Sequence, residues 1–386
     1  MNLCQECIAL LKEMVAIPSE SQNEKEMALF LEQFLSGELE METQLQQISE
    51  SSYNVIGRWN TQGSANARTL ILGGHIDTVP PTGRWKSDPY TLVQDGDRLR
   101  GLGAGDMKGG LAAQLTVLND FAKRKVSLNA NIEFVGLADE ERYSAGAAAY
   151  VRQKKVRGQE AGDTFCIFAE PHFDNIVVGA TGKTLIQLET FGVGGHAASP
   201  ELGVNAVDCM AILLHEMQKT FSSRYEAGEI GSFCCLGIES GNTGYSLNIP
   251  EKCSAYLNKQ LIAGERIEDF VDEIHRIYQM RVGTGQLKVV LAPPCYPSYC
   301  LPREQKEVIR LTNFLNKKFH RTPTLCINQS VSDGNILYSE LQIPTILYGP
   351  RGVHFHTEGE YLSKESLVQY MDEFAAFLQS EYGYKR

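Results

Sequence analysis

The stretch Thr69–Pro80 reads TLILGGHIDTVP. Leu70, Ile71 and Leu72 follow one another without polar alternation, which suits a strand buried on both faces, as in a parallel sheet covered by helices. The run then delivers His75 and Asp77. In open α/β sheets the carboxyl end of a strand is the edge where ligands bind.

The same design recurs along the chain. NIEFVGLA from Asn131 leads into DEERYSAG, TFCIFAE from Thr164 ends in Glu170, and IPTILYG from Ile343 gives a further short apolar run. Between them, GGLAAQLTVLNDFAKR and AGAAAYVRQKK read as helices. Alternating strands and helices of this kind predict an α/β fold with a largely parallel central sheet flanked by helices. Upstream, SESQNEKEMALFLEQFL carries a capping-box signature at Ser21 and Glu24, followed by Met27, Phe30, Leu31 and Phe34 at helical spacing.

The texture changes near Thr181. GKTLIQLETFGVGG and CSAYLNKQLIAG alternate apolar and polar residues as half-exposed antiparallel strands do, while NAVDCMAILLHEMQKTF and ERIEDFVDEIHRIYQM are amphipathic. A smaller α+β domain inserted at 181–291 is expected, with residues 1–180 and 292–386 forming the main domain. A chain of 386 residues accommodates both.

The stretch RGLGAGDMKGGLAA from Arg100 has the look of a phosphate cradle. It fits neither nucleotide template, however. The dinucleotide fingerprint would place its third glycine where Asp106 stands, and the P-loop would need Ser or Thr after Lys108 where Gly109 stands. The loop is built around Asp106.

Lys and Arg total 36 against 47 Asp and Glu, a formal net charge of −11, which argues against nucleic acid or an anionic membrane and for a small-molecule substrate. MNLCQECIALLKEMV lacks a basic leader region and spaces its apolar residues along one helix face, and no apolar run is long enough to span a bilayer. A cytoplasmic protein with its ten cysteines reduced is expected. Cys4 and Cys7 have no second pair to complete a zinc ribbon and read as helix residues.

The metal-capable groups at the strand ends are His75, Asp77, Asp106, Glu140, Glu141 and Glu170, joined late in the chain by His354 and His356. Taken singly, an H-x-D pair, adjacent glutamates or a glycine run is ordinary surface or turn; their placement at successive strand ends is what points to a site. Imidazoles and carboxylates without thiolates suit zinc, cobalt or manganese in a catalytic centre. Three carboxylates, two histidines and a hydroxide would balance two divalent ions, roughly +4 against −4.

GGHIDTVP, GLGAGDMKGG, ADEERYSAGA, AEP, GVGGHAASP and HTEGEYL together resemble, over nearly the full chain, the metallopeptidase family of acetylornithine deacetylase, succinyl-diaminopimelate desuccinylase and carboxypeptidase G. The resemblance implies two zinc ions, one held by His75 and Glu170, the other by Glu141 and His356, with Asp106 shared. It further implies that Asp77 orients the His75 ring, that Glu140 is the general base, and that the Asp106–Met107 peptide is cis. His356 is preferred to His354 because it stands before TEGEY. In such a family His196 and Asn248, on the inserted lid and dimerisation domain, reach the active site of a partner subunit, so a homodimer is implied. AEP is similar to the acetylornithine deacetylase branch, implying an N-acyl amino acid deacylase of amino-acid metabolism. A dipeptidase or carboxypeptidase of the same chemistry is the alternative, and a non-catalytic metal-binding descendant is a third reading.

Two departures stand out. NKQ places Gln260 where the family has an arginine able to clamp a carboxylate, and GPRG places Arg351 near the last ligand. Arg351 is therefore a candidate for binding the substrate's anionic group.

Overall fold

The computed structural model describes residues 2–59, 68–157, 163–241 and 247–383, which divide into two compact units. The first comprises the chain up to Ala180, Cys300–Asn328 and the chain from Ser332 onward; the second comprises Thr181–Tyr299 and Gln329–Val331.

In the first unit, strand Thr69–His75 lies at the centre of a mixed sheet, paired in parallel with Asn131–Leu137 on one side and Thr164–Phe168 on the other. Thr345–Leu347 continues the parallel run beyond Thr164–Phe168. The flanks turn antiparallel: Tyr53–Trp59 pairs with Asn131–Leu137, Glu42–Gln47 with Tyr53–Trp59, and Asn175–Ala180 with Thr345–Leu347. One face, bearing Ile71, Val135, Cys166 and Phe168, packs against helices Ala145–Val156 and Asp333–Leu341. Leu70 and Leu72 alternate to the other face, where helices Leu3–Ala16, Gly109–Lys123 and Lys364–Tyr382 pack together. Both faces are dry, which is why these strands read as continuous apolar runs.

A charged group sits inside this core. Glu133, in the second parallel strand, is met by Arg58 Nε at 2.9 Å and Lys154 Nζ at 2.9 Å, and accepts from the Tyr150 hydroxyl. Burial opposes its charge, but Lys154 and Arg58 prevail and hold its carboxyl below the usual range.

A separate small sheet in the order Gly352–Val353, Tyr361–Ser363, Arg98–Arg100, Val93–Asp95 joins two distant parts of the sequence. It sets the loop at 354–360 beside the glycine-rich segment.

The second unit is a four-stranded antiparallel sheet, ordered Phe233–Ser240, Lys252–Leu261, Gly182–Phe191, Gln286–Tyr296, with helices Ala206–Glu226 and Ile267–Ile277 packed on it. The expected boundary at residue 291 falls inside the last strand, because its pairing with Gly182–Phe191 continues to Tyr296. The capping box also differs. The helix begins at Lys25 with no side-chain cap from Glu24, and Ser21 donates elsewhere, to Asp77. The cysteines are free thiols, and no helix among the described residues is long and apolar enough to cross a membrane.

Candidate metal centre

Three strands of the central sheet deliver the site. His75 is the last residue of its strand, Glu140 and Glu141 follow Asn131–Leu137, and Glu170 follows Thr164–Phe168. Asp106 comes from the glycine-rich loop, where Gly103 adopts φ +72, a left-handed conformation that favours glycine, and the Asp106–Met107 peptide is cis. Behind it, Gly110, in the first turn of helix Gly109–Lys123, lies so close to the end of the neighbouring strand that a Cβ would overlap the Ala169 carbonyl oxygen.

Ligand atoms of His75, Asp106 and Glu170 lie within 4.8 Å of one another, as do those of Asp106, Glu141 and His356. Asp106 belongs to both groups. His75 Nε2 is 3.2 Å from Asp106 Oδ1, and His356 Nε2 is 2.9 Å from Glu141 Oε1 and 3.6 Å from Asp106 Oδ2. His75, Glu140 and Glu141 form a third group at the same spacing.

His354 does not join them. Both histidines have φ +60 and lie in the bend and turn of this loop. The His354 ring packs toward Tyr361, and His354 belongs to none of the three groups.

The electrostatics are those of a crowded anionic site. Burial pushes Glu170 up to about 8, with His75 opposing and Asp106 and Glu141 adding to the rise. Burial likewise raises Glu140 well above the usual carboxylate range, and against the pull of His75 the neighbouring Glu170, Asp333 and Glu141 add to it. Asp106 and Glu141 hold His356 up at about 10. Carboxylates forced together out of water call for compensating cations, and this donor set of nitrogen and oxygen atoms suits divalent ions.

Asp77 meets the His75 ring with both its carbonyl and its carboxylate. His75 Nδ1 lies 3.0 Å from the Asp77 backbone carbonyl and 3.5 Å from the carboxylate, so the main chain is the nearer acceptor that fixes the ring. The carboxylate also accepts the backbone N–H groups of Glu140 at 3.0 Å and Glu141 at 3.1 Å, and the Ser21 hydroxyl at 2.7 Å. This loop is further held by Glu24, whose Oε1 accepts from the Asp139 N–H at 3.1 Å.

Lys108 also has a structural assignment: its buried ammonium donates to the carbonyls of Met14 and Ile17 at 3.0 Å each, tying the first helix to the loop. Ser21, Glu24 and Lys108 were not assigned roles at the site from sequence. Ser21 and Glu24 carried the signature of a helix start, which masked them.

Arg351 meets Asp174 through two hydrogen bonds, at 2.8 and 2.7 Å, and stacks over Phe173. Its guanidinium is thus paired within the chain, and an external anion would have to compete with Asp174. In the second unit, His196 and Asn248 are brought together as an antiparallel bridge, flanked by the Ala197 N–H to Leu247 carbonyl bond of 2.7 Å. Both are exposed. Asn258 and Gln260 sit on alternate positions of one strand, each with a buried side-chain oxygen.

Comparison with known proteins agrees with this architecture. The chain is 25% identical over 378 residues, 94% of each sequence, to acetylornithine deacetylase of Edwardsiella ictaluri (strain 93-146). Its fold is similar to that of a tripeptidase from Staphylococcus aureus, with a TM-score of 0.79 at 22% identity over 98% of both chains. It is also similar in fold to a dinuclear metal-binding peptidase of the M20 family from Bacillus subtilis, with a TM-score of 0.71 at 15% identity over 97% of both chains. Residues 71–380 match the family described as peptidase family M20/M25/M40, and the chain belongs to it.

Proposed function

We propose that this chain hydrolyses the amide bond of N-acyl amino acids at a centre of two divalent ions, with zinc the best match and cobalt or manganese compatible. The observation that supports it is Asp106, shared by two donor groups whose other members are His75 with Glu170 and Glu141 with His356. When bound, the ions would supply positive charge that polarises the amide carbonyl and acidifies a water.

Glu140 carries the proton. Its carboxyl belongs to a group with His75 and Glu141, and its environment favours the protonated form once a proton has been taken from the attacking water. That proton then passes to the leaving amine nitrogen. Asp77 fixes where Glu140 stands by holding the peptide N–H groups of both glutamates. Glu140 remains free of metal binding in this assignment, which suits a group that must exchange protons.

His196 and Asn248 are proposed to contact substrate from the partner subunit of a homodimer formed through the second unit. The outer strand Phe233–Ser240 supports this, since it exposes Leu236 at 62% and Ile238 at 57% on an edge that pairs with no other strand among the described residues. Assaying purified protein, loaded with metal and then chelated, against N-acetyl amino acids and a dipeptide panel tests the reading. Turnover of acyl amino acids only when metal-loaded is expected. Preference for dipeptides would favour the peptidase alternative, and no turnover of any amide would favour a non-catalytic binder.

A further inference from the structure

The glycine-rich loop does cradle an anion, and the chain supplies it. Glu360, 2% exposed, reaches into the loop from the segment between the two late strands Gly352–Val353 and Tyr361–Ser363. Its Oε1 accepts the N–H of Gly105 at 3.0 Å and of Asp106 at 3.1 Å, and its Oε2 accepts the N–H of Gly103 at 3.1 Å. Three main-chain donors converging on one buried carboxylate form an anion nest of the type that elsewhere binds phosphate. Here the nest is filled from within.

The position of Glu360 gives this contact a consequence. It bonds directly to the backbone of Asp106, and it follows His356 by four positions in the same loop. Its neighbour Tyr361 pairs with Arg100, just ahead of the glycines. One side chain therefore fixes two ligand-bearing loops that are some 250 residues apart in sequence, the separation of Asp106 and Glu360 being 254.

We infer that Glu360 is a positioning residue of the metal centre, holding Asp106 and His356 in register so that the ion they share with Glu141 binds tightly. This rests on the ligand assignment proposed above. A metal would otherwise have to order both loops as it bound, and the affinity would fall by the cost of that ordering.

The test is Glu360→Gln, which keeps the length but turns one acceptor into a donor facing an N–H. Metal content would be measured by elemental analysis after dialysis against a graded chelator, with thermal melts of the metal-free protein alongside. The expected result is a normally folded variant that loses one zinc per chain at chelator concentrations the wild type withstands, its affinity lower by about 10–100-fold as for other residues that orient metal ligands. Excess zinc should restore kcat while KM changes little. If the glutamine variant does not fold, Glu360→Asp, which keeps the charge one methylene short, should show the same selective loss in weaker form. Wild-type zinc affinity in either folded variant overturns the positioning role. A wild type that binds no divalent ion of zinc, cobalt or manganese, or His356→Ala with undiminished metal content, overturns the ligand assignment and this inference with it.

Discussion

The carboxylate of Asp77 accepts the backbone N–H of Glu140 at 3.0 Å. Fully buried, it also accepts from the Glu141 N–H and the Ser21 hydroxyl, so a residue close to the first metal-capable histidine sets the position of the proposed general base in the neighbouring strand's loop. Asp77→Asn replaces one acceptor with an amide donor. We expect kcat to fall about 10–100-fold with KM little changed, as for residues that orient a catalytic group, together with a lower Tm. Ser21→Ala should give a smaller loss in the same direction. Steady-state kinetics on an N-acetyl amino acid, paired with thermal melts, checks both; undiminished kcat in Asp77→Asn would show that the loop holds itself.

Glu133 offers a test independent of metal. Its folded-state carboxyl lies below its unfolded value, so its ion pairs stabilise the protein fully above the unfolded pKa, roughly 4.3, and that contribution is lost as pH falls through the folded value. Removing one partner of a buried pair costs about 3–5 kcal/mol. Glu133→Gln should therefore lower Tm at neutral pH, and the gap from wild type should narrow below about pH 4. A gap that stays constant from pH 7 to pH 3 would contradict the ion-pair account.

Gly110 and Gly37 make a matched pair. A Cβ at Gly110 would collide with backbone at Ala169, adjacent to Glu170, whereas one at Gly37 meets nothing within 4 Å. Gly110→Ala is expected to cost about 1–3 kcal/mol as overpacking and to weaken metal binding, while Gly37→Ala should be neutral or stabilising by up to about 1 kcal/mol. Denaturant melts of the two variants suffice. Equal stabilities would mean that the helix start is not tightly seated.

Arg351 and Asp174 are 44% and 63% exposed, so their pair contributes about 0–1 kcal/mol and a substrate carboxylate can compete for the guanidinium. If Arg351 binds the anionic end of the substrate, Arg351→Ala raises KM for substrates with a free carboxylate but not for their amides, and Asp174→Asn lowers it. Matching effects on both substrate types would assign Arg351 to the brace with Asp174 alone.

The parallel strands and the proposed ligands at their ends were legible because each carries a local signal: Leu70–Leu72 is apolar on both faces, and His75, Glu141 and Glu170 stand at or just past the ends of such runs. The partnerships between loops were not. Glu360 was visible only as a landmark after His356, since nothing local says that its carboxylate is received by Gly103, Gly105 and Asp106. Ser21 and Glu24 misled because a capping box and a brace for a distant loop use the same residue types. Arg351 read as a free anion site because its partner Asp174 is 177 positions away. The strand Gln286–Tyr296 ran past the expected boundary because its length is set by its pairing partner rather than by its own composition.

The most direct test of the central claim is to measure metal content and turnover together in Glu140→Gln. With Glu140 a proton carrier and not a ligand, this variant should retain two divalent ions per chain while hydrolysis of an N-acetyl amino acid falls by about 10²–10⁴-fold, the usual share of a general base. Loss of an ion from Glu140→Gln, or turnover within a few-fold of wild type, would contradict it.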